Sequence, residues 1–220
     1  KLKEISLIMT SDVNKCKKSI NFLVNLGFNI NKVGEPKMVK FNYNHKNYNN
    51  YSSNPKYQIY LNQSFANCDF YFGSGASHGI IGELFNKEKA IINYVDHIEL
   101  SHSTSFKNFI LFKKIYLNNK NSFLKLEDLF KKNLMSFHNL SEAYKKNQIS
   151  VAENTAEEIL EFLIEFYEHK YKKKPISQNL NKKYFELRRE YLEKNYDSLN
   201  IDFLNNIKCT VSSKYLSEHL

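Results

Sequence analysis

The residues best suited to chemistry stand together in one run, Cys68-Asp69-Phe70-Tyr71-Phe72-Gly73-Ser74-Gly75-Ala76-Ser77-His78-Gly79-Ile80-Ile81-Gly82-Glu83-Leu84-Phe85-Asn86-Lys87. Four of the chain's six glycines fall between positions 73 and 82. Glycine lets a backbone turn tightly and lie close to a ligand. The hydroxyls of Ser74 and Ser77 can cap a helix or bond a phosphate oxygen, and the spacing fits either use. His78 could act as a general base toward an acceptor hydroxyl at neutral pH. Its place at a helix start, where imidazolium is disfavoured, suits better a hydrogen bond to phosphate or backbone. The pattern is not a standard fingerprint. Gly73-x-Gly75-x-x-His78 lacks the last glycine of the dinucleotide motif, although Gly79 follows at once, and no Gly-Lys-Ser/Thr completes a P-loop.

The elements that would position these groups are a short aromatic strand ending at Phe72, a glycine turn, and an apolar-periodic helix over 79–86. The free N–H groups and dipole of such a helix start favour an anion, most commonly a phosphate. Lys89 to Val95 has the character of a buried strand, which places the motif inside a βαβ unit of a parallel sheet. Asn93, Asp96 and His97 end that strand at the same edge of the sheet, together with Glu99, His102, Ser103 and Thr104. They are expected to form a polar loop lining a cleft. Asp96, His97 and His102 could instead assemble a metal site, but no helical i, i+4 pair presents them together, and no metal is expected.

Upstream, Glu4 to Thr10 has strand character, and Ser11 or Asp12 can cap a helix that buries Val13, Ile20, Leu23, Val24 and Leu26 before Gly27 ends it. Phe28 to Gly34 alternates, closing a first βαβ unit. Residues 37–56 carry no period and are expected to be an irregular surface connection with His45, Tyr43, Tyr48 and Tyr51 exposed. Residues 57–66 are compatible with a helix. Downstream, Phe109 to Leu117 alternates, Leu124 to Phe130 suits a helix, and Lys131 to Lys146 is charged and unpatterned. A short strand ends at Glu153. Asn154 or Thr155 then caps a helix, with Glu157 or Glu158 completing a capping box. That helix runs to about Lys172, with Ile159, Phe162, Leu163 and Phe166 inward and Glu157, Glu161, Glu165 and Glu168 outward. Gln178 to Asn195 is a second charged amphipathic helix with solvated faces, and a short tail follows. The fold class expected is α/β, a Rossmann-like parallel sheet flanked by helices over residues 1–172, with 173–220 a helical extension packing back on it.

A chain of 220 residues with 15 tyrosines and 17 phenylalanines can fill a core. No apolar run approaches the roughly 18 residues of a membrane span. The net charge of +9 is carried almost wholly by lysine, and Arg188 and Arg189 are the only arginines. A dedicated nucleic-acid reader would use more arginine, so that partner is not expected. Cys16, Cys68 and Cys209 have neither disulfide nor metal spacing, which fits inert thiols in a reducing cytosol and a cytoplasmic location. Because the strand character begins almost at Lys1, an upstream domain of the same protein is expected.

Three blocks then stand in order: Asn67-Cys68-Asp69-Phe70-Tyr71-Phe72-Gly73-Ser74-Gly75-Ala76-Ser77 with Phe85-Asn86-Lys87 and Ile92-Asn93; Glu153-Asn154-Thr155-Ala156-Glu157-Glu158-Ile159; and Val211-Ser212-Ser213-Lys214-Tyr215-Leu216. In these the sequence resembles the C-terminal half of a bacterial surface-polysaccharide glycosyltransferase family with a GT-B-like architecture, of the O-antigen and capsule type. The resemblance implies a metal-independent enzyme with no cofactor, whose nucleotide-sugar donor lies between two Rossmann-like domains. It implies that Gly73, Ser74, Gly75 and Ser77 face the diphosphate and that Glu153 and Asn154 lie near the ribose or diphosphate; Gly79 of the glycine turn and Asn93 of the sheet edge join them as expected donor-binding residues. His78 is the candidate base, unless the base lies in the upstream domain. A glycan or lipid-linked acceptor and peripheral membrane association are the implied partners. Where the family tends to carry arginine, near the end of the first strand and shortly before Gly34, this chain has Met9-Thr10-Ser11 and Asn31-Lys32-Val33. Those departures, with the tyrosine-rich 43–60 segment, motivate an alternative reading as a non-catalytic carbohydrate- or partner-binding module.

Overall fold

The computed structural model describes residues 11–34, 41–53, 57–75, 77–98, 100, 108–119, 122–206 and 209–220. The side chains of 53, 57–60, 77–80, 198–200 and 203 also fall outside the description. The strand expected over 4–10, and Glu99, His102, Ser103 and Thr104, lie outside the described residues.

Asp12 opens the first helical segment, its Oδ1 accepting from the Asn14 N–H at 2.9 Å. A 3-10 turn (Val13–Cys16) leads into α1 (Lys17–Asn25), which buries Ile20, Leu23 and Val24. Gly27, at φ 89°, ends it, with the N–H groups of Gly27 and Phe28 returning to the carbonyls of Val24 and Leu23. That is the Schellman pattern, which needs a left-handed residue at this point. Then come β1 (Ile30–Lys32), β2 (Tyr48–Asn50) and α2 (Tyr57–Asn67). β1 and β2 pair in parallel, Ile30 opposite Tyr48 and Lys32 opposite Asn50. The expectation of an irregular connection over 37–56 is therefore corrected, because it contains a strand. Nor are its aromatics exposed filler. Phe41 is buried, Tyr43 stacks on it, and Tyr48 closes edge-on against Tyr43 at 5.0 Å.

The larger sheet holds β3 (Phe70–Ser74), β4 (Glu88–Tyr94), β5 (Asn108–Phe112) and, near the chain's end, β9 (Thr210–Val211), all parallel, in the order β3-β4-β5-β9. Between β3 and β4 lies α3 (Ser77–Leu84). β6 (Lys114–Leu117), β7 (Ser122–Phe123) and β8 (Ile149–Ala152) form a separate antiparallel sheet, with α4 (Leu126–Lys131) and α5 (Phe137–Lys145) between β7 and β8. The alternating run over 109–117 is thus two strands in two sheets. The unpatterned Lys131 to Lys146 contains a helix, and Ser136 caps it through the Asn139 N–H.

After β8, Thr155 caps α6 (Ala156–Lys172) in a full capping box with Glu158. α7 (Gln178–Asn195), α8 (Ser198–Asn205) and α9 (Ser213–His219) complete the chain. All five residues of β5 are buried, because both of its faces are covered. Side chains alternate across a strand. Phe109 meets Phe162 and Phe166 of α6, whereas Phe112 meets Tyr184 of α7 and Tyr215 of α9. The fold is α/β, with a four-stranded parallel sheet flanked by helices. The 173–220 segment packs back onto it and also supplies its edge strand. Asn181 holds that strand by accepting from Val211 N–H at 2.9 Å and donating to Val211 O at 3.1 Å. Glu165 caps α9 by accepting from the Ser213 N–H at 2.9 Å, so this member of the outward glutamate row is structural. Among the described residues no helix is long and apolar enough to cross a membrane.

Candidate functional site

Parallel pairing brings the carboxyl ends of β3, β4 and β5 to one edge. Ser74 lies opposite Ile92, so Ser74 and Asn93 stand one step apart on neighbouring strands. Gly73 and Ser74 end β3 there, Gly75 follows, and α3 starts at Ser77. Ser77, His78 and Gly79 form its first turn, two residues earlier than the periodicity predicts; their side chains lie outside the described residues.

The two glycines of the turn owe their identity to aromatic neighbours. A Cβ on Gly73 would stand 2.6 Å from Tyr71 Oη, whose hydroxyl donates to Ser74 O at 3.1 Å. A Cβ on Gly75 would stand 2.5 Å from the Tyr94 ring. Neither glycine is among those with positive φ, so left-handed backbone is not what demands glycine at 75. Gly75→Ala is expected to push the Tyr94 ring aside at a cost of roughly 1–3 kcal/mol, measurable by urea unfolding. A cost below about 0.5 kcal/mol would mean that the turn has another shape.

Asn93 is the most constrained residue of the edge. It is 3% exposed and adopts φ 54°, a left-handed value that Asn tolerates better than most residues. Its Oδ1 accepts from the Asn154 N–H at 2.9 Å and from Asn154 Nδ2 at 2.8 Å, and Asn154 Nδ2 also donates to Phe112 O at 2.9 Å. Two donors on one oxygen fix the amide's orientation. The Asn93 Nδ2 that results has no hydrogen-bond partner among the described residues, an unfavourable condition for a buried donor.

Glu153 turns the other way. Both its oxygens accept from the Asp12 N–H at 3.2 Å, and Lys15 Nζ lies 3.0 Å away. It clamps the start of the Val13–Cys16 turn beside Asn154. Lys113, which sequence reasoning missed, follows β5 directly and is 2% exposed. Burial lowers its pKa, opposed by the Glu153 carboxylate and reinforced by Lys15. The available signal was a lysine at the end of the buried run Asn108–Phe112.

The expectation that Asp96 and His97 line a cleft is corrected. Asp96 Oδ1 accepts from Ile98 N–H at 2.7 Å and its Oδ2 from Phe137 N–H at 2.9 Å. His97 is fully buried, stacked 3.7 Å from the Phe112 ring, and shares a hydrogen bond with Tyr184 Oη at 3.2 Å. Both groups organise the turn after β4. Among the described residues no group of three His, Cys, Asp or Glu side chains is arranged to hold a metal ion. Cys16 and Cys209 are buried free thiols whose pKa burial pushes up to about 12, which keeps them protonated.

The structure therefore brings Gly73, Ser74, Gly75, Asn93 and Asn154 to one edge, with Glu153 adjacent but engaged by the first helical turn. Comparison with protein-family models, with curated proteins and with solved structures gives no match. What the edge can do follows from its own groups. A pinned amide donor, a glycine turn leading into a helix and a nearby buried lysine suit an anionic, oxygen-rich ligand.

Proposed function

We propose that this chain is the nucleotide-binding, C-terminal half of a GT-B-like glycosyltransferase that transfers a sugar from a nucleotide-sugar donor in bacterial surface-polysaccharide synthesis. The observation that carries the reading is the Asn93 amide. Asn154 holds it at the carboxyl edge of a parallel sheet, beside the glycine turn, with an Nδ2 donor that no described residue satisfies. Ligands of open α/β sheets bind at this edge, and the resemblance in the blocks around Gly73, Glu153 and Val211 supplies the substrate class.

In this reading the diphosphate lies over Gly73 to Gly75 and the α3 N-terminus with Ser77 and Gly79, and Asn93 donates to one of its oxygens. Glu153 acts by fixing the Asp12 turn next to Asn154. Catalysis comes from holding donor and acceptor together and stabilising the leaving diphosphate with backbone N–H groups and the helix dipole. His78 is the proposed base unless an upstream domain provides it. A glycan or lipid-linked acceptor, a cytoplasmic location and peripheral membrane association belong to the same proposal.

Calorimetry against UDP-, GDP-, CMP- and dTDP-sugars tests it, using the full-length protein. One nucleotide class is expected to bind, and Asn93→Asp to weaken that binding at least tenfold, about 1.4 kcal/mol. Aspartate keeps the acceptor for Asn154 and tolerates the left-handed backbone, but places an anion where the ligand needs a donor. No binding by any donor sinks the proposal.

A further inference from the structure

We propose that the outer face of the small antiparallel sheet, centred on Tyr116 and Phe123, is a carbohydrate-binding subsite for a neutral pyranose. Side chains alternate across each strand. Ile115 and Leu117 of β6 and Ile149 of β8 are buried in the core. Lys114, Tyr116, Phe123 and Ser150 share the opposite face, because Tyr116 is in register with both Phe123 and Ser150. The outer face of a one-sided antiparallel sheet is ordinarily polar. Here two aromatic rings meet on it, and Phe123 is 40% exposed. Beside Phe123 lies an open groove of about 180 Å³, lined also by Lys114, Leu124, Lys125, Glu218 and His219. A single water needs only about 10–15 Å³ of such space.

The groups around the ring define the ligand class. Lys114 Nζ stands 5.4 Å from the Phe123 centroid and is paired with Glu158 of α6. Lys125 Nζ donates to the Glu218 backbone carbonyl at 2.8 Å, which closes the groove onto α9. His219 meets Phe123 edge-on, 6.4 Å between ring centroids, and is stacked on Tyr215 at 4.3 Å. Burial lowers its pKa, so the imidazole is neutral at pH 7. Among the described residues, the two ammonium groups of Lys114 and Lys125 are matched by the two carboxylates of Glu158 and Glu218. An anionic ligand would therefore meet as much repulsion as attraction. A neutral pyranose suits the whole arrangement. Its C–H face can lie against an aromatic ring, and each of its hydroxyls donates and accepts, so that it pairs with donor-only ammonium and acceptor-only carboxylate alike. Sites for small ligands combine an apolar surface with a few placed polar groups in this way. The subsite is separate from the Asn93 edge and does not depend on whether a sugar is transferred.

The test follows Phe123 itself. With phenylalanine carrying 13C in its ring, the full-length protein is titrated with the methyl glycosides of glucose, galactose and N-acetylglucosamine and, separately, with inorganic pyrophosphate. The Phe123 resonance, assigned by its loss in Phe123→Leu, is expected to shift saturably with at least one glycoside at millimolar concentration and to ignore pyrophosphate. Phe123→Ala should weaken that glycoside at least tenfold, and Phe123→Tyr, which keeps the ring, should hold it within about threefold. A Phe123 resonance that is indifferent to all three glycosides, or that answers pyrophosphate alone, overturns the proposal. Unchanged glycoside binding by a folded Phe123→Ala protein overturns it too. None of the probes is a nucleotide, so failure here leaves the glycosyltransferase reading standing. A silent nucleotide-sugar screen likewise leaves the subsite standing.

Discussion

Arg188→Met is expected to destabilise the protein by about 3–5 kcal/mol. The guanidinium is 2% exposed in the middle of α7 and donates to three backbone carbonyls, His97 O at 3.0 Å, Leu204 O at 3.1 Å and Ile98 O. Methionine matches much of its length and removes the buried charge, which by itself is favourable. What it cannot replace is the hydrogen bonding. Three carbonyls would be left in the interior, each costing about 1–3 kcal/mol when unsatisfied. The unfolding midpoint in urea should fall with little change in slope, since a similar surface is exposed. Arg189 is the internal control. Its side chain is 58% exposed, with Glu193 3.9 Å away, and Arg189→Met should stay within about 0.5 kcal/mol. A loss below 1 kcal/mol at Arg188 would mean that those carbonyls find other donors. Two of them belong to the turn that leaves β4 just after Asn93, so the substitution is also expected to weaken ligand binding at that edge.

The second large effect is a loss of stability in mild acid. His97 is fully buried, and its pKa is lowered to about 3, first by burial and then by the Arg188 guanidinium and His219. It faces Phe112 of β5, Tyr184 and Arg188 of α7 and His219 of α9. A histidine held neutral in the folded state binds fewer protons than in the unfolded chain, where its value is 6.5. Its stabilising contribution is therefore complete above pH 6.5 and is lost as the pH falls toward 3. The limiting slope is about 1.4 kcal/mol per pH unit. His219, also lowered by burial, adds in the same direction. Unfolding measured in urea from pH 7.5 to 4.5 should show a decline beginning near 6.5, and His97→Gln should flatten it. An equally steep decline in His97→Gln would assign the acid sensitivity to other groups.

Much of the α/β character was legible in the sequence because local signals agreed with one another. The glycine cluster at 73–82 separates a strand from a helix, Thr155 and Glu158 carry a reciprocal cap, and Gln178 to Asn195 keeps helical character along its length. Each of these depends on neighbours within about four positions, which is the range over which periodicity and capping act. β2 and β9 escaped because three and two residues are too few to establish a period. They are strands only because β1 and β5 offer them partners.

The site divides along the same line. That polar residues would gather at the carboxyl edge near Asn93 follows from strand order and direction, which the alternation of elements implies. Which of them are available to a ligand does not. Asp96 and His97 have the composition of a cleft but are consumed by the neighbouring Ile98 N–H and, from farther along the chain, by the Phe137 N–H, Phe112 and Tyr184. Asn154 looked equally able to cap α6, yet its amide spans to Asn93, 61 residues away. Local sequence determined where the chain turns, coils and extends, because those choices minimise local backbone and side-chain free energy. Only the tertiary structure decided which polar groups are spent on one another and which remain for a ligand, because that depends on partners that folding brings from far along the chain.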